Sequence, residues 1–234
     1  MPSFLILRLE GPMQAWGTHT FEDFRPSNLY PTRSGLLGLL GACLGLERCD
    51  SAAQQQLAAS VEFTVRVDTQ LARPGKDQAV AKPGIKLLDY HTVIEARRVN
   101  RAPKQGETVQ SWREYLFDAA FTVAIGSRLG ASISIEQLAE ALRRPCYTPT
   151  LGRRSCPPTR PLLEGQVEAA SARDALALYE PSSGLIYCET EKSGQPVRVR
   201  DVPMHGDKRQ FATRLVYLHQ PPRADENTPE TPCT

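Results

Sequence analysis

The order of strand-like and helix-like segments in the first 150 residues is the feature that most restricts the fold of this chain. Strands are predicted at 3–9, 61–67, 117–125 and 146–147, and helices at 34–46 and 135–144. This βαββαβ order is that of a ferredoxin-like, RRM-like unit of the α+β class. Two helices would cover one face of its sheet and leave the other face free, the face that RNA recognition motifs use.

The remaining segments predict a β-rich C-terminal part and two irregular regions. Strands are predicted at 163–169, 185–189, 197–202 and 215–219, with a short helix at 172–178. Residues 68–110 are polar and rich in proline and glycine, which predicts a long excursion from the core, and such loops usually carry function. The proline-rich residues 221–234 predict a disordered tail.

Overall composition is that of an ordinary globular protein. The 234 residues are 41% hydrophobic and 23% charged, with a formal net charge of +2. These values exclude wholesale disorder and a fibrous chain. Because the net charge is so small, any nucleic-acid site must be a local concentration of basic residues.

Targeting and metal signals are absent from the sequence. The most apolar run, 35–46, has twelve residues, fewer than the ~20 of a membrane-spanning helix. No signal peptide is visible, and the six cysteines form neither CxxC pairs nor a zinc pattern. The sequence therefore predicts a cytoplasmic protein with no membrane contact, no metal and no cofactor.

The glycine-rich segment 33–45 is the first candidate site. Glycine costs about 1 kcal/mol in a helix interior, so four glycines on one stripe, Gly35, Gly38, Gly41 and Gly45, need a reason. Tight packing against the sheet would explain Gly41 and Gly45. At the other end, Ser34 is a good N-cap, and first-turn N–H groups beside Arg33 favour a bound phosphate. The spacing is neither a Walker loop nor a dinucleotide fingerprint.

The segment 147–157 is the second candidate site. Gly152 stands beside Arg153 and Arg154, which predicts a flexible main chain with two phosphate donors, and Tyr147 offers a stacking surface for a base. A solvated basic turn is the alternative. The flanking prolines limit mobility and favour a shaped site.

A third candidate lies in the excursion and just after it. Four basic residues stand within eight positions, at Arg97, Arg98, Arg101 and Lys104. The segment 107–115 then adds Gln110, Trp112, Arg113 and Tyr115. Basic residues interleaved with aromatics are typical of a nucleic-acid surface. An exposed charged hairpin is equally compatible with the basic cluster, and Trp112 and Tyr115 on a helical turn could be core residues.

Candidates for catalysis are few. The four histidines are scattered, and no Ser–His–Asp order or carboxylate pair stands out. Tyr90 and His91 could in principle cleave RNA without a metal, with histidine as general base and a basic side chain stabilising the phosphorane. We assign no residue a catalytic role, because a lone loop histidine is usually a solvated or hydrogen-bonding residue.

Long motifs along the chain resemble one family. They lie at 5–17, 31–41, 89–93, 108–115, 151–157 and 209–212. Together they resemble the CasD-type subunits of type I-E CRISPR Cascade, in the RAMP superfamily. The resemblance covers nearly the whole chain except the tail and is weak over 50–88. It departs from the family at Thr150, where an aromatic is expected.

The resemblance implies a fold and a set of partners. It implies a ferredoxin-like palm at 1–69 and 107–150, a protruding thumb at 70–106, and a modified β-rich part at 151–220. The implied function is non-catalytic binding of the 5′ handle of CRISPR RNA. The backbone subunit and the large PAM-reading subunit would be neighbours, and target DNA would be contacted indirectly.

The implied RNA-binding residues fall in five parts of the chain. They are Gln14, Arg33, Ser34, Gly35, Gln110, Arg113, Leu151, Gly152, Arg153, Arg154 and Arg209, with Tyr147 as a replacement stacking residue. The implied partner-binding residues of the thumb are Arg97, Arg98, Arg101 and Lys104. Two other hypotheses remain: a metal-independent endoribonuclease that uses Tyr90 and His91, and a small-molecule phosphate binder at the helix that begins near Ser34.

Overall fold

The computed structural model describes residues 1–18, 23–68, 85–95, 102, 105–182, 184–205 and 210–220. Its helices are α1 (Arg33–Leu44), α2 (Ser51–Ser60), α3 (Ile135–Arg143) and α4 (Ala172–Ala177). Its strands are β1 (Ser3–Glu10), β2 (Met13–Gln14), β3 (Trp16–Gly17), β4 (Phe24–Arg25), β5 (Ser27–Asn28), β6 (Val61–Asp68), β7 (Ile85–Ile94), β8 (Thr108–Phe117), β9 (Ala120–Ser127), β10 (Leu163–Glu168), β11 (Gly184–Cys188), β12 (Gln195–Met204) and β13 (Gln210–His219). The predicted α+β class is confirmed.

Seven strands form the main sheet, in the order β10-β1-β9-β6-β11-β13-β12. Every neighbouring pair is antiparallel. The second strand of the sheet, β1, is apolar on both faces: Leu5, Leu7 and Leu9 point to one side, Phe4 and Ile6 to the other, and all five are buried. The strands β11 to β13 extend this same sheet beyond β6 rather than forming one of their own.

One face of the sheet carries helices α1 and α3. Their apolar side chains join Leu5, Leu7 and Leu9 in one hydrophobic cluster. Helix α3 begins with a capping box, in which Ser134 and Gln137 satisfy each other's backbone N–H groups. The amphipathic pattern predicted for 135–144 is therefore confirmed as a helix that buries one side against the sheet.

The sequence predicted that the opposite face of the sheet is free. In the structure, this face is covered next to β1. Ala175 and Leu176 of α4 pack on Phe4 and Ile6. Beneath α4 lies Arg66, whose Nε donates to Asp68 Oδ1 at 2.7 Å and whose Nη1 donates to the Leu176 carbonyl at 2.5 Å. An apolar helix over a buried ion pair leaves no room here for stacked bases.

A second, four-stranded sheet forms around β8. Strand β7 pairs with one edge of β8 along ten residues, and the short strands β2 and β4 pair with the other edge. The helical turn expected at Trp112 and Tyr115 is therefore wrong, because both residues lie in β8. Strand β7 has exposed apolar side chains on both faces, such as Leu87 and Leu88, so it lacks the alternation of a half-buried strand.

Three further differences concern local structure. The strand predicted at 117–125 is β9, but it begins at Ala120, because Phe117 ends β8 and the chain turns at Asp118, whose φ is 49°. The segment 146–147 is not a strand, and β10 provides the fourth strand beside β1. Helix α2 was not predicted, since Leu57 is its one large buried apolar side chain, although its alanines and glutamines favour a helix. The C-terminal strands and α4 were predicted to within a few residues.

Parts of the sequence predictions lie outside the described residues. These are the tail at 221–234 and, within the thumb at 70–106, all residues except 85–95, 102, 105 and 106. The basic residues Arg97, Arg98, Arg101, Lys104 and Arg209 lie outside them as well. In the ranges that are described, no helix has the length and apolar character to cross a bilayer, and no three His, Cys, Asp or Glu side chains come together as a metal site.

Candidate nucleic-acid interface

The N-terminus of α1 is bound by a carboxylate of the protein itself, that of Asp201. Thr32, rather than the predicted Ser34, is the N-cap, and its Oγ1 accepts from the Gly35 N–H at 3.3 Å. The Arg33 N–H donates to Asp201 Oδ2 at 2.7 Å. A buried carboxylate of β12 therefore already accepts from the first N–H of the helix, which argues against a phosphate at that group.

The Arg33 side chain is also used inside the fold. It is buried, with Nη1 donating to Glu189 Oε2 at 2.5 Å and Nη2 to the Ala58 and Val61 carbonyls at 2.7 and 3.1 Å. Burial lowers the pKa of Arg33, and the Glu189 carboxylate opposes that effect. The guanidinium of Arg33 ties α1 to the end of α2, to the start of β6 and to the residue that follows β11, so this geometry does not support the predicted contact with RNA.

Arg214 completes this buried cluster, which sequence reasoning missed. It donates from Nε to Asp201 Oδ1 at 2.6 Å and from Nη1 to Glu189 Oε1 at 2.9 Å. The two carboxylates and the two arginines therefore neutralise one another. Asp201, Glu189 and Arg214 lie more than 150 residues from Arg33 in the chain, so no local pattern signals the cluster.

Gln14 and the glycines of α1 also have structural roles. Gln14 is fully buried, donates to the Leu9 and Ala119 carbonyls and accepts from the Trp16 indole, so its predicted RNA contact is corrected. A Cβ on Gly35 would lie 2.8 Å from the Trp16 ring. Gly45 is the C-cap of α1, with a φ of 75°, and a Cβ there would lie 2.8 Å from Cys146 Sγ.

The loop 151–157 is shaped by close backbone contacts. Leu151 is buried, and its carbonyl accepts from the Ala15 N–H at 3.0 Å. Gly152 has a φ of 94°, and a Cβ there would lie 1.8 Å from the Ala15 carbonyl oxygen. The Leu151 N–H donates to the Cys156 carbonyl at 2.7 Å, which closes the turn. The loop is therefore fixed on the chain rather than free in solvent.

The two arginines of this loop differ. Arg153 is half-buried: Nη1 donates to the Glu114 carbonyl and Nη2 to the Arg25 carbonyl, both at 2.8 Å, and its guanidinium lies over the Tyr115 ring. Arg154 is exposed, and its guanidinium has no partner among the described residues. The loop thus presents one arginine to solvent and uses the other internally.

The helix start and the loop approach the same segment. Gly35 contacts Trp16, and Gly152 contacts the neighbouring Ala15. The two motifs therefore lie close together at the level of the backbone. The Arg33 side chain, by contrast, is bound inside the fold by Glu189.

Strand β8 places two predicted residues on opposite faces. Arg113 shares a face with Ser111, whose Oγ accepts from Arg113 Nε at 3.1 Å, while Gln110 is exposed on the other face. Arg25 and Asp89 flank Arg113 on the two neighbouring strands. Tyr147 is exposed, and its N–H donates to the Ala42 carbonyl near the C-terminal end of α1, away from the helix start.

The two faces of the β7–β8 pair have different chemistry. On the Arg113 face, His91 Nε2 contacts Asp89 Oδ2. On the other face, Tyr90 and Trp112 are directly opposite, with ring centroids 5.4 Å apart, and Phe24 follows in the next strand. All three rings are exposed, between 38% and 51%.

The fold and the site define a class: a strand-rich α+β protein in which a rigid arginine-bearing loop lies beside a long exposed hairpin. The family model for the CRISPR-associated protein Cas5 matches residues 4–217, and the chain belongs to this family. It is 50% identical over 220 residues to the CRISPR system Cascade subunit CasD of Escherichia coli (strain K12), covering 93% of this chain and 96% of CasD.

Solved structures agree with the family. A chain of a CRISPR RNA-guided surveillance complex has a TM-score of 0.70 and 28% identity, covering 93% of this chain and 90% of that one. A Cas protein crystal structure has a TM-score of 0.60 and 28% identity, covering 92% and 93%. The resemblance inferred from the sequence motifs is therefore confirmed.

Proposed function

We propose that this chain is a Cascade subunit that holds the repeat-derived 5′ handle of CRISPR RNA and does not cut it. The observation that carries the proposal is the rigid loop 151–157, which presents the exposed guanidinium of Arg154. Such a loop suits a ligand with a fixed path and a charged backbone. Membership of the Cas5 family and the similarity to a Cascade subunit support the same reading.

The proposed RNA surface is smaller than the one the sequence implied. Arg154 and Arg113 supply phosphate contacts. Gln110 lies on the opposite face of β8, and Tyr147 lies beside the C-terminal end of α1, so neither belongs to this surface. Leu151 and Gly152 shape the loop. Gln14 and Arg33 are not part of this surface, because their polar groups are already bound inside the protein.

The proposed architecture is a ferredoxin-like palm with a thumb. The order β10-β1-β9-β6, with α1 and α3 on one face, supports the palm, since it is the strand order expected for a βαββαβ unit. The β7–β8 pair forms the base of the thumb assigned to 70–106.

Contact with neighbouring Cascade subunits is supported by the surface of the β7–β8 pair. Leu88, Tyr90, Ile94 and Trp112 form an exposed apolar strip on one face, with Ile94 69% exposed. Apolar strips of this kind mark protein interfaces. We assign this strip, with the basic thumb residues, to the backbone and PAM-reading subunits in a cytoplasmic complex, which would contact target DNA indirectly.

The endoribonuclease alternative is less well supported by the geometry. Tyr90 and His91 are successive residues of β7, so their side chains point to opposite faces. They cannot act together on one phosphate, as that hypothesis requires. His91 is paired with Asp89 on the Arg113 face, which suits an orienting or binding role.

Purification of the full chain together with the other Cascade subunits tests the proposal. The complex should bind repeat-derived RNA more tightly than a scrambled RNA and leave it uncut. Arg154→Gln should weaken binding about tenfold, while the control Arg144→Gln, at an 86% exposed side chain after α3, should not. Equal affinity for the two RNAs, or metal-free cleavage that His91→Ala abolishes, would contradict it.

A further inference from the structure

The edge of β8 has a break that none of the described strands fills. Strand β4 pairs with Trp112 and Arg113, and β2 pairs with Leu116 and Phe117. The carbonyl of Glu114 lies between these two short pairings. Unpaired backbone groups at a sheet edge need another partner when the edge is covered.

Arg153 fills this break. Its two terminal nitrogens donate to the Glu114 and Arg25 carbonyls, each at 2.8 Å, and its Cζ lies 4.7 Å from the centre of the Tyr115 ring. These contacts use both features of a guanidinium, the planar fork of N–H groups and the flat face. A lysine ammonium has the same charge but neither feature.

We propose that Arg153 is a positioning residue that fixes the RNA-binding loop to β8, rather than a ligand of the RNA phosphates. The inference rests on the proposed function, since it concerns how the loop presents Arg154 to RNA. Leu151 and Gly152 anchor the start of the loop on Ala15, and Arg153 anchors it on β8 and β4. With three successive residues anchored, the backbone at Arg154 has one orientation.

Matched lysine substitutions separate a positioning residue from a charged ligand. The full chain in its complex is titrated with repeat-derived RNA at several salt concentrations. Arg154→Lys should keep its affinity within about threefold, because a lysine can also bind a phosphate as a point charge. Arg153→Lys should lose about tenfold in affinity, because the freed loop must be ordered on binding. The salt slope, that is the slope of log affinity against log salt concentration, should stay unchanged, because Arg154 still reaches its phosphate. Arg154→Gln should lower the salt slope by about 0.7, the value for one phosphate of a single strand.

Hydrogen exchange of the loop amides, measured without RNA, reports how firmly the loop is held, independently of RNA binding. Arg153→Lys should raise exchange at residues 151–156 without RNA present, and Arg154→Lys should not. If Arg153→Lys folds poorly, Tyr115 provides a second test. Tyr115→Phe keeps the ring and should leave exchange unchanged, whereas Tyr115→Leu removes the ring and should raise exchange.

Two outcomes overturn the inference. One is an Arg153→Lys variant with normal affinity and normal exchange. The other is an Arg153→Gln variant that lowers the salt slope as Arg154→Gln does, which would make Arg153 a phosphate ligand. Failure of the proposed function looks different: the unmodified complex would not distinguish repeat RNA from scrambled RNA, while the exchange difference between the two lysine variants would persist.

Discussion

The start of α1 and the loop 151–157 are both arginine-bearing segments that contact Ala15–Trp16, yet the fold treats them in opposite ways. At the helix start, Asp201 and Glu189 bind the backbone and side chain of Arg33. In the loop, backbone carbonyls bind Arg153, and Arg154 is exposed. An arginine near a glycine is therefore free to bind a ligand only where neither a carboxylate nor a backbone carbonyl of the same chain binds it first.

The largest effect in this comparison is expected for Arg33→Ala. The substitution removes a buried cation, its ion pair with Glu189 and the donor to two buried carbonyls, so unfolding should become easier by about 3 kcal/mol. Chemical denaturation measures this, with Arg154→Ala as the control, which should stay within about 0.5 kcal/mol of the parent protein. Equal stability of the two variants would show that Arg33 contributes no more to the fold than the exposed Arg154.

A smaller loss of about 2 kcal/mol is expected for Gly152→Ala. The added Cβ meets the Ala15 carbonyl oxygen and stands on a left-handed backbone, so the loop must shift. Gly130→Ala is the matched control, because Gly130 has a φ of 77° and open space around it. Denaturation should show a larger loss at Gly152, and RNA affinity should fall only there. Identical costs would mean that the contact with Ala15 does not constrain the loop.

Asp201→Asn tests the helix start with a smaller change. The amide keeps the shape of the side chain but loses the charge that faces the α1 N-terminus and Arg214, a cost of about 1–2 kcal/mol. Thermal unfolding should report this loss while the RNA affinity of the folded complex stays the same. A drop in RNA affinity under conditions in which the variant is fully folded would show that the helix start is part of the RNA site.

The smallest effect concerns Glu62, beside the same ion cluster. Burial raises the pKa of Glu62 above 4.5, and the nearby Glu189 adds to this. A carboxyl with a raised folded pKa stabilises the fold below its unfolded pKa and loses that contribution as pH rises through the folded value. Glu62→Gln should therefore give a small gain in stability at pH 7 and none at pH 4, measured by denaturation against the exposed control Glu140→Gln. A gain that is equal at both pH values would contradict the assignment.

Local patterns were enough to find the elements that pack against the core. The apolar run of β1, the alternation in β6 and the capped, amphipathic α3 are each patterns within a few residues, so they could be predicted. The β7 strand could not, because it is exposed and apolar on both faces and has no alternation to detect. The α2 helix had only its composition as a signal.

The sequence by itself determined the family, the α+β class and the loop in which glycine precedes two arginines. Only the tertiary structure decided which arginine is exposed. Asp201 and Glu189 reach Arg33 because β11 to β13 extend the main sheet across the start of α1, and Arg153 reaches β8 because two short strands leave a gap on its edge. Contacts between residues so distant in the chain leave no trace in the local sequence, and they fix which charged groups remain free to bind a ligand.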